Sequence, residues 1–294
     1  MRELAGKTAF ITGGASGLGL SMAHAFGDAG MQVMLADIEE APLAAAIADL
    51  EARQIKAAGV LCDVAERASV EAAAAETVKV FGKVHLVCNN AGVGAGGPIG
   101  TVTPADWDWV VDVNLMGVVY GMEAFLPHIR AHGEGGWFVN TASMAGMISP
   151  PGMEPYSATK FAVVAMSEGW AGQLAAENIG VSVLCPGFVR TAINKSGRTR
   201  QAKYGGAKEP VASAEPSPVD SGIDPELVGK RVREAVQSGQ LYIFTHPDMR
   251  GMVEARFARI MAAFGDAAES PVLKDLDYKT PENLGMSVLA NVAG

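Results

Sequence analysis

Tyr156 and Lys160 stand four residues apart in YSATK, and Ser143 precedes the tyrosine by 13 residues in TASMAGMISPPGMEPYSATK. Positions i and i+4 of a helix share a face, so this spacing brings a phenol and an ammonium together. A free phenol titrates near pH ~10 and is a poor base at neutral pH, but an adjacent ammonium favours phenolate. Carboxylates are the ordinary i+4 partners of lysine on a solvated helix, so a tyrosine there asks for a chemical reason. A serine at the end of a preceding strand adds a donor for an oxygen on which alkoxide charge develops. Taken singly, Ser143 suits a turn and Tyr156 an apolar helix face. The set of three predicts acid–base chemistry at a hydroxyl or carbonyl group.

A second group lies near the N-terminus, where residues 12–19 read TGGASGLG. Gly13, Gly17 and Gly19 fit a strand-to-helix turn in which backbone N–H groups and a helix N-terminus approach a pyrophosphate. Glycine clusters are common in a chain with 35 glycines, and the position between a first strand and a first helix is what gives this one weight. Asp37 follows Gly19 by 18 residues, at the end of the next apolar run. A carboxylate there accepts from the ribose hydroxyls and repels a 2′-phosphate, which favours NAD over NADP; the residue also suits a helix N-cap. Asp63, placed to reach the adenine amino group, and Asn89, Asn90, Ala91 and Gly92 in NNAG are further candidates at strand ends, or ordinary loop residues.

These residues need a scaffold that collects strand ends on one edge. Apolar runs at 8–12, 32–37, 59–64, 83–92, 135–143 and 180–187 alternate with helical patterns at 18–30, 40–57, 68–82, 103–132 and 155–178. Near-continuous apolar strands separated by helices predict a doubly wound α/β fold, with ligands beyond the carboxyl ends of a parallel sheet. Helix 225–237, a strand at LYIFTH and helix 248–264 complete the pattern, and a single domain, 1–294, is expected. Residues 194–224 are polar and rich in Gly, Pro and Ser, and read as a mobile lid. The extension from about 265 to 294 carries weak signals and suits packing on a neighbouring subunit.

A net charge of −9 argues against nucleic acid and anionic membrane surfaces as partners. No apolar leader opens the chain and no run of ~18 apolar residues is evident, so a cytoplasmic protein is expected. Cys62, Cys88 and Cys185 are widely spaced, as core cysteines of a reducing compartment are, and no metal ligand pattern is present.

TGxxxGxG, NNAG, the strand-end serine, YxxxK and the PG of CPGFVRT together resemble the short-chain dehydrogenase/reductase family over about residues 5–192. The resemblance implies a Rossmann fold with a seven-stranded parallel sheet, a nicotinamide cofactor and a homodimer or homotetramer. It assigns Ser143, Tyr156 and Lys160 as the catalytic set, with Asn114 of VDVNLMGV holding a water in a proton relay. Ser16, Leu18, Val64, Pro186, Gly187, Val189 and Thr191 join the glycines, Asp37, Asp63 and NNAG as cofactor contacts. More loosely, AKYGG and LYIFTHPDMR resemble bacterial Cα-dehydrogenases that oxidise the benzylic alcohol of lignin-derived aryl ethers.

The expected activity is therefore NAD-dependent interconversion of a secondary alcohol and a ketone. Met144, Met147, Ile148 and Met153 suggest an apolar or aromatic substrate, unless they fill the core. Tyr204 of the lid is the candidate for stacking on it, or anchors the loop. A steroid or acyl-chain reductase and a catalytically idle nucleotide-binding protein are the alternatives.

Overall fold

All five residues of β1 (Thr8–Thr12) are buried, as happens when a strand is covered on both faces. Successive side chains point to opposite faces, so Phe10 enters one apolar cluster and Ile11 the other. The computed structural model describes residues 1–209 and 217–279. Its other strands are β2 (Gln32–Asp37), β3 (Ala57–Leu61), β4 (Leu86–Asn89), β5 (Gly136–Thr141), β6 (Ile179–Cys185) and β7 (Tyr242–Phe244). They form one seven-stranded parallel sheet in the order β3-β2-β1-β4-β5-β6-β7. This is the doubly wound architecture the alternation called for.

Helices α3 (Arg67–Phe81), α4 (Pro104–Val111), α5 (Gly117–His132) and α6 (Glu154–Leu174) cover one face. Phe10 of the sheet meets Phe125 of α5 there, with ring centroids 4.2 Å apart. Helices α1 (Gly17–Gly27), α2 (Glu40–Ala52) and α7 (Pro225–Ser238) cover the other, through Phe26, Leu50 and Val232. The three cysteines are free and buried.

Among the boundaries that differ from the sequence reading, two bear on the site. β3 starts at Ala57 and ends at Leu61, because pairing with Val33–Asp37 of β2 sets its register; Cys62 onward turns away. The helix expected over 103–132 starts at Pro104, with a Thr103–Asp106 capping box at its N-terminus. It is then broken by a π-helical turn, Asp112–Met116. A window in this 29-residue stretch reaches a mean hydropathy of 1.3 and is, by length and composition, apolar enough to cross a membrane. Half of that window is buried within the fold, as in a core helix.

Met1–Thr245 forms one compact unit, which holds the sheet and all the strand ends, and His246–Gly294 a second. Within the second, α8 (Arg250–Ala268) exposes Phe257, Ile260, Met261 and Phe264, three or four residues apart on one stripe. The extension expected over about 265–294 runs beyond the described residues after Lys279.

Candidate active site

The strand order reverses between β1 and β4, and the crevice that such a switch point opens is a cleft of about 500 Å³. Gly13 leaves β1 with φ +60°, and a Cβ there would sit 3.0 Å from the Ala91 backbone. Gly19 does not line the cleft; a Cβ on it would lie 2.1 Å from the Gly13 carbonyl oxygen, so its bareness lets α1 close on the turn. Gly13, Ser16, Gly17 and Leu18 line the cleft around the α1 N-terminus, the end of a helix that leaves backbone N–H groups without intrahelical partners.

Thr12, which the sequence reading passed over, fastens β1 to β4. Its hydroxyl accepts from the Asn90 and Ala91 amides at 2.9 and 3.0 Å, and its carbonyl from Asn90 Nδ2 at 2.9 Å. Thr141 of β5 donates to Asn90 Oδ1 at 3.3 Å, and Lys160 Nζ donates to the Thr141 carbonyl at 2.8 Å. One chain of hydrogen bonds thus runs from the glycine turn to the lysine. Its only signal in the sequence is a threonine at the end of a strand.

Asp37 and Asp63 line the opposite wing of the cleft, at and just past the ends of β2 and β3. Asp37 Oδ2 accepts from the Ala15 amide at 3.0 Å and Oδ1 from the Glu39 amide at 3.1 Å, which fixes the carboxylate in place. Val64, Asn90, Ala91, Gly92, Pro186, Gly187, Val189 and Thr191 also line the cleft.

Tyr156 lies in the first turn of α6, Ser143 just beyond β5 as the cap of a 3₁₀ turn, and Lys160 one helical turn after the tyrosine. All three line the cleft. Lys160 Nζ lies 5.5 Å from the Tyr156 ring centroid, and a Cβ on Gly92 would lie 3.6 Å from that nitrogen. Lys160 is 2% exposed, and burial lowers its pKa from 10.5 to about 8. The expectation that lysine pulls the phenol down is corrected here. Burial pushes the Tyr156 phenol above its ordinary range, and its hydrogen bond with Ser143 only partly opposes that.

Asn114 sits in the π turn, fully buried, with Oδ1 accepting from the Val93 amide at 2.8 Å and Nδ2 donating to the Val93 carbonyl at 2.9 Å. Its side chain is thereby committed to the loop after β4, which makes it a positioning residue.

Of the expected substrate contacts, Met153 lines the cleft, whereas Met144 is buried away from it. Tyr204 is not placed to stack on a substrate: it is buried, and its hydroxyl donates to Asp112 Oδ2 at 2.7 Å. Burial, with Asp112 accepting its proton, pushes that phenol up to about 12. The apolar wall is completed by Trp109, Phe188 and Ile193, none of which the motifs marked.

The lid is structured over its described part. Two short 3₁₀ helices, Ile193–Thr199 and Ala202–Tyr204, carry it, and Ile223 on its return pairs with Val189. Arg200, nearly fully buried, forms an ion pair with Asp106 and donates to the Tyr204 carbonyl. Burial raises the Asp106 pKa, but hydrogen bonds from Arg200, Lys208 and Thr103 outweigh it and hold the carboxyl well below the usual range. Arg198 pairs with Glu39 at 2.5 Å and Lys203 with Glu66 at 2.5 Å. Lid residues 210–216 lie outside the described residues.

Elsewhere, His85, His132 and Glu134 lie close enough to hold a metal ion. Every ring nitrogen there already has a protein partner: Thr8 N and Glu134 Oε2 for His85, and Val84 O and Glu134 N for His132. The cluster is a clasp between backbone segments.

A parallel doubly wound sheet, a glycine turn at its switch point and a Ser–Tyr–Lys set opening on the same cleft define a dinucleotide-dependent oxidoreductase of the Rossmann type. The chain belongs to the short-chain dehydrogenase family, whose profile matches residues 7–202. It is similar to the C alpha-dehydrogenase of Sphingobium sp. (strain NBRC 103272 / SYK-6), 36% identical over 92% of this chain and 90% of that protein. It is 32% identical to a CLA biosynthesis dehydrogenase/reductase of Lactiplantibacillus plantarum, over 89% of this chain and 95% of that protein. A crystal structure of a short-chain dehydrogenase/reductase from Burkholderia phymatum in complex with NAD superposes with a TM-score of 0.83. The two are 37% identical over 90% of this chain and 97% of the other.

Proposed function

We propose that this protein oxidises a secondary benzylic alcohol of an aryl ether to the ketone, reversibly, with NAD. The observation that carries the reaction is the Ser143–Tyr156–Lys160 set on the wall of the cleft. The residues fit the cofactor: positive-φ glycines at the turn, a fixed carboxylate at the end of β2, and a Gly19 whose missing Cβ closes the cradle. Bound NAD⁺ would supply a hydride acceptor and a positive charge that favours phenolate at Tyr156, which burial otherwise keeps protonated. Tyr156 takes the hydroxyl proton of the alcohol, Ser143 donates to its oxygen, and Lys160 holds positive charge near both. Through Val93, Asn114 keeps the loop after β4 in register with Gly92, and a water relay behind Lys160 belongs to the same proposal.

The aromatic wall of Trp109 and Phe188, with Met153, favours a flat apolar substrate, and similarity to a C alpha-dehydrogenase favours the benzylic class. Similarity to a CLA biosynthesis dehydrogenase/reductase supports a second reading, an acyl-chain hydroxy acid. We place the protein in the cytoplasm as a homodimer or homotetramer, with the apolar stripe of α8 and the extension after it serving that assembly.

The test is NADH absorbance with NAD and a panel of 1-aryl alcohols, hydroxy fatty acids and hydroxysteroids. A kcat/KM at least ~100-fold higher for the aryl alcohols is expected. Turnover of hydroxy fatty acids alone selects the second reading, and NADH from none of them removes the enzyme.

A further inference from the structure

Besides Tyr156, the aromatic side chains among the described residues that line the cleft are Trp109 and Phe188. Trp109 is 3% exposed and Phe188 48%, so Phe188 is the ring that a bound molecule can cover. Single apolar side chains on an outer surface are ordinary, but one left open inside a cleft marks where ligand surface is buried.

The sheet sets which end of the cleft this is. Phe188 follows the end of β6 at Cys185 by three residues, and β6 lies beside β5 on the side away from β2 and β3. The Met144 amide donates to the Pro186 carbonyl at 2.9 Å, tying this segment to the turn that Ser143 caps. Phe188 therefore belongs to the Ser143 end of the cleft and not to the end near Asp37 and Asp63.

The backbone of Phe188 is clamped by the return of the lid. The Ile223 amide donates to the Phe188 carbonyl at 3.0 Å, and the Arg190 amide to the Ile223 carbonyl at 3.0 Å. A Cβ on Gly222 would lie 2.5 Å from the carbonyl carbon and oxygen of Phe188, so only a bare residue lets the return close this tightly. Arg190 Nη1 adds a hydrogen bond to the Gly222 carbonyl at 3.0 Å. The main chain is fixed while the side chain stays open, which leaves little for a ligand to order. A phenyl face has no hydrogen bond to give. What it tells apart is a second aromatic ring from saturated carbon of the same size, through offset or edge-to-face attraction.

We infer that Phe188 is a specificity residue, packing against an aromatic ring carried on the carbinol carbon of the substrate, with Gly222 as the positioning residue behind it. This rests on the aryl-alcohol reading above.

The experiment compares kcat/KM with NAD for 1-phenylethanol and 1-cyclohexylethanol, which differ in the ring and little in size. Each protein is read as the phenyl-to-cyclohexyl ratio relative to wild type, so the intrinsic reactivities of the two alcohols cancel. Phe188→Leu keeps apolar surface without a π face and is expected to lower the ratio roughly three- to tenfold. Phe188→Tyr restores the ring and is expected to hold the ratio within about twofold of wild type. Gly222→Ala is expected to lower the ratio as well, because the added methyl displaces the Phe188 backbone. Combining it with Phe188→Leu is expected to lower the ratio no further than Phe188→Leu alone. Should the alanine variant not fold, Arg190→Met, which releases the Gly222 carbonyl, takes its place with the same expected sign. An unchanged ratio in Phe188→Leu, or as large a loss in Phe188→Tyr, overturns the inference and leaves the aryl reading standing. Equal losses for both alcohols in the Gly222 or Arg190 variant, the sign of a merely loosened lid, overturn the positioning role. Wild type that oxidises neither alcohol, or only the cyclohexyl one, overturns the inference and the aryl reading together.

Discussion

The two ends of the cleft are built from different materials. At the end proposed for catalysis, Ser143 follows β5 and Tyr156 and Lys160 sit on α6, with Tyr156 and Lys160 buried and Asn114 and Thr141 buried as well. Their partners are backbone groups at and just past the strand ends, such as the Thr141 carbonyl and the Val93 amide. At the opposite end, near Asp37 and Asp63, the wall is closed by lid side chains reaching over to acids near the strand ends: Arg198 to Glu39, Gln201 to Asp63, Lys203 to Glu66. Those ion pairs are half-exposed, and such pairs contribute about 0–1 kcal/mol each. Chemistry needs a fixed geometry, and a cofactor that enters and leaves needs a wall that gives way. The difference assigns the first role to the sheet end and the second to the lid.

The largest effect should come from removing the proton acceptor. Tyr156→Phe keeps the ring packed and is expected to lower kcat by roughly 10²–10⁴, the range general acid–base catalysis supplies. NADH affinity should stay within about twofold of wild type, since the hydroxyl alone is lost. Steady-state kinetics with fluorescence titration reads both, and a Phe variant that retains most of its turnover removes Tyr156 from the mechanism.

Next comes the anchor of the lid. Arg200 is a buried cation whose carboxylate partner is Asp106, and leaving such a charge alone costs about 3–5 kcal/mol. Asp106→Asn should therefore lower Tm by several degrees. Because the Asp106 carboxyl is held below its ordinary value, its contribution is full above the unfolded pKa of 3.8 and lost as pH falls through the folded one. The deficit of the variant should thus be constant from about pH 5 to 8 and shrink below pH ~4. An Asn variant as stable as wild type at pH 7 would mean the lid is not anchored there.

That Ser143, Tyr156 and Lys160 share one cleft was legible because they keep short, fixed offsets: YxxxK is one helical turn, and a serine just past a strand needs only the strand to be found. The lid was not, because its partners are far away in sequence. Arg200 meets Asp106 across 94 positions and Gln201 meets Asp63 across 138, so composition alone reads them as solvated loop. Tyr204 turned inward for the same reason, toward Asp112 at 92 positions' remove. The phenol of Tyr156 shows the other limit. A neighbouring lysine fixes the direction of one influence, but burial decides the sign of the total, and burial belongs to the fold.

Lys160 gives a smaller effect, visible in the free protein. Its folded pKa of about 8 lies below the ordinary 10.5, so between those values the unfolded chain holds a proton that the native chain does not. Stability should then rise with pH across that window by about 3 kcal/mol relative to a chain without the group. Urea unfolding of wild type and Lys160→Met from pH 7 to 10.5 checks this, the gap between the two curves changing only above pH ~7.5. Parallel curves would place the ammonium in water.

The smallest effect on stability should carry the clearest sign of a yielding wall. Arg198 and Glu39 are 42% and 28% exposed, and a pair in that setting is worth no more than about 1 kcal/mol. Arg198→Ala should therefore leave Tm within about 2 °C of wild type. Yet the pair ties the lid to the turn two residues beyond Asp37, and both of its residues line the cleft. Its loss should speed NADH release by a few-fold, up to the roughly fivefold that 1 kcal/mol allows, with the hydride step unchanged. Salt offers an independent check, because exposed pairs are screened while buried ones are not. Raising the ionic strength should accelerate NADH release from wild type toward the rate of the variant, and should leave the variant nearly indifferent. Stopped-flow displacement of NADH at low and high salt measures both arms. Equal salt dependence in the two proteins would mean that the lid lets go elsewhere, and that the two ends of the cleft are held alike.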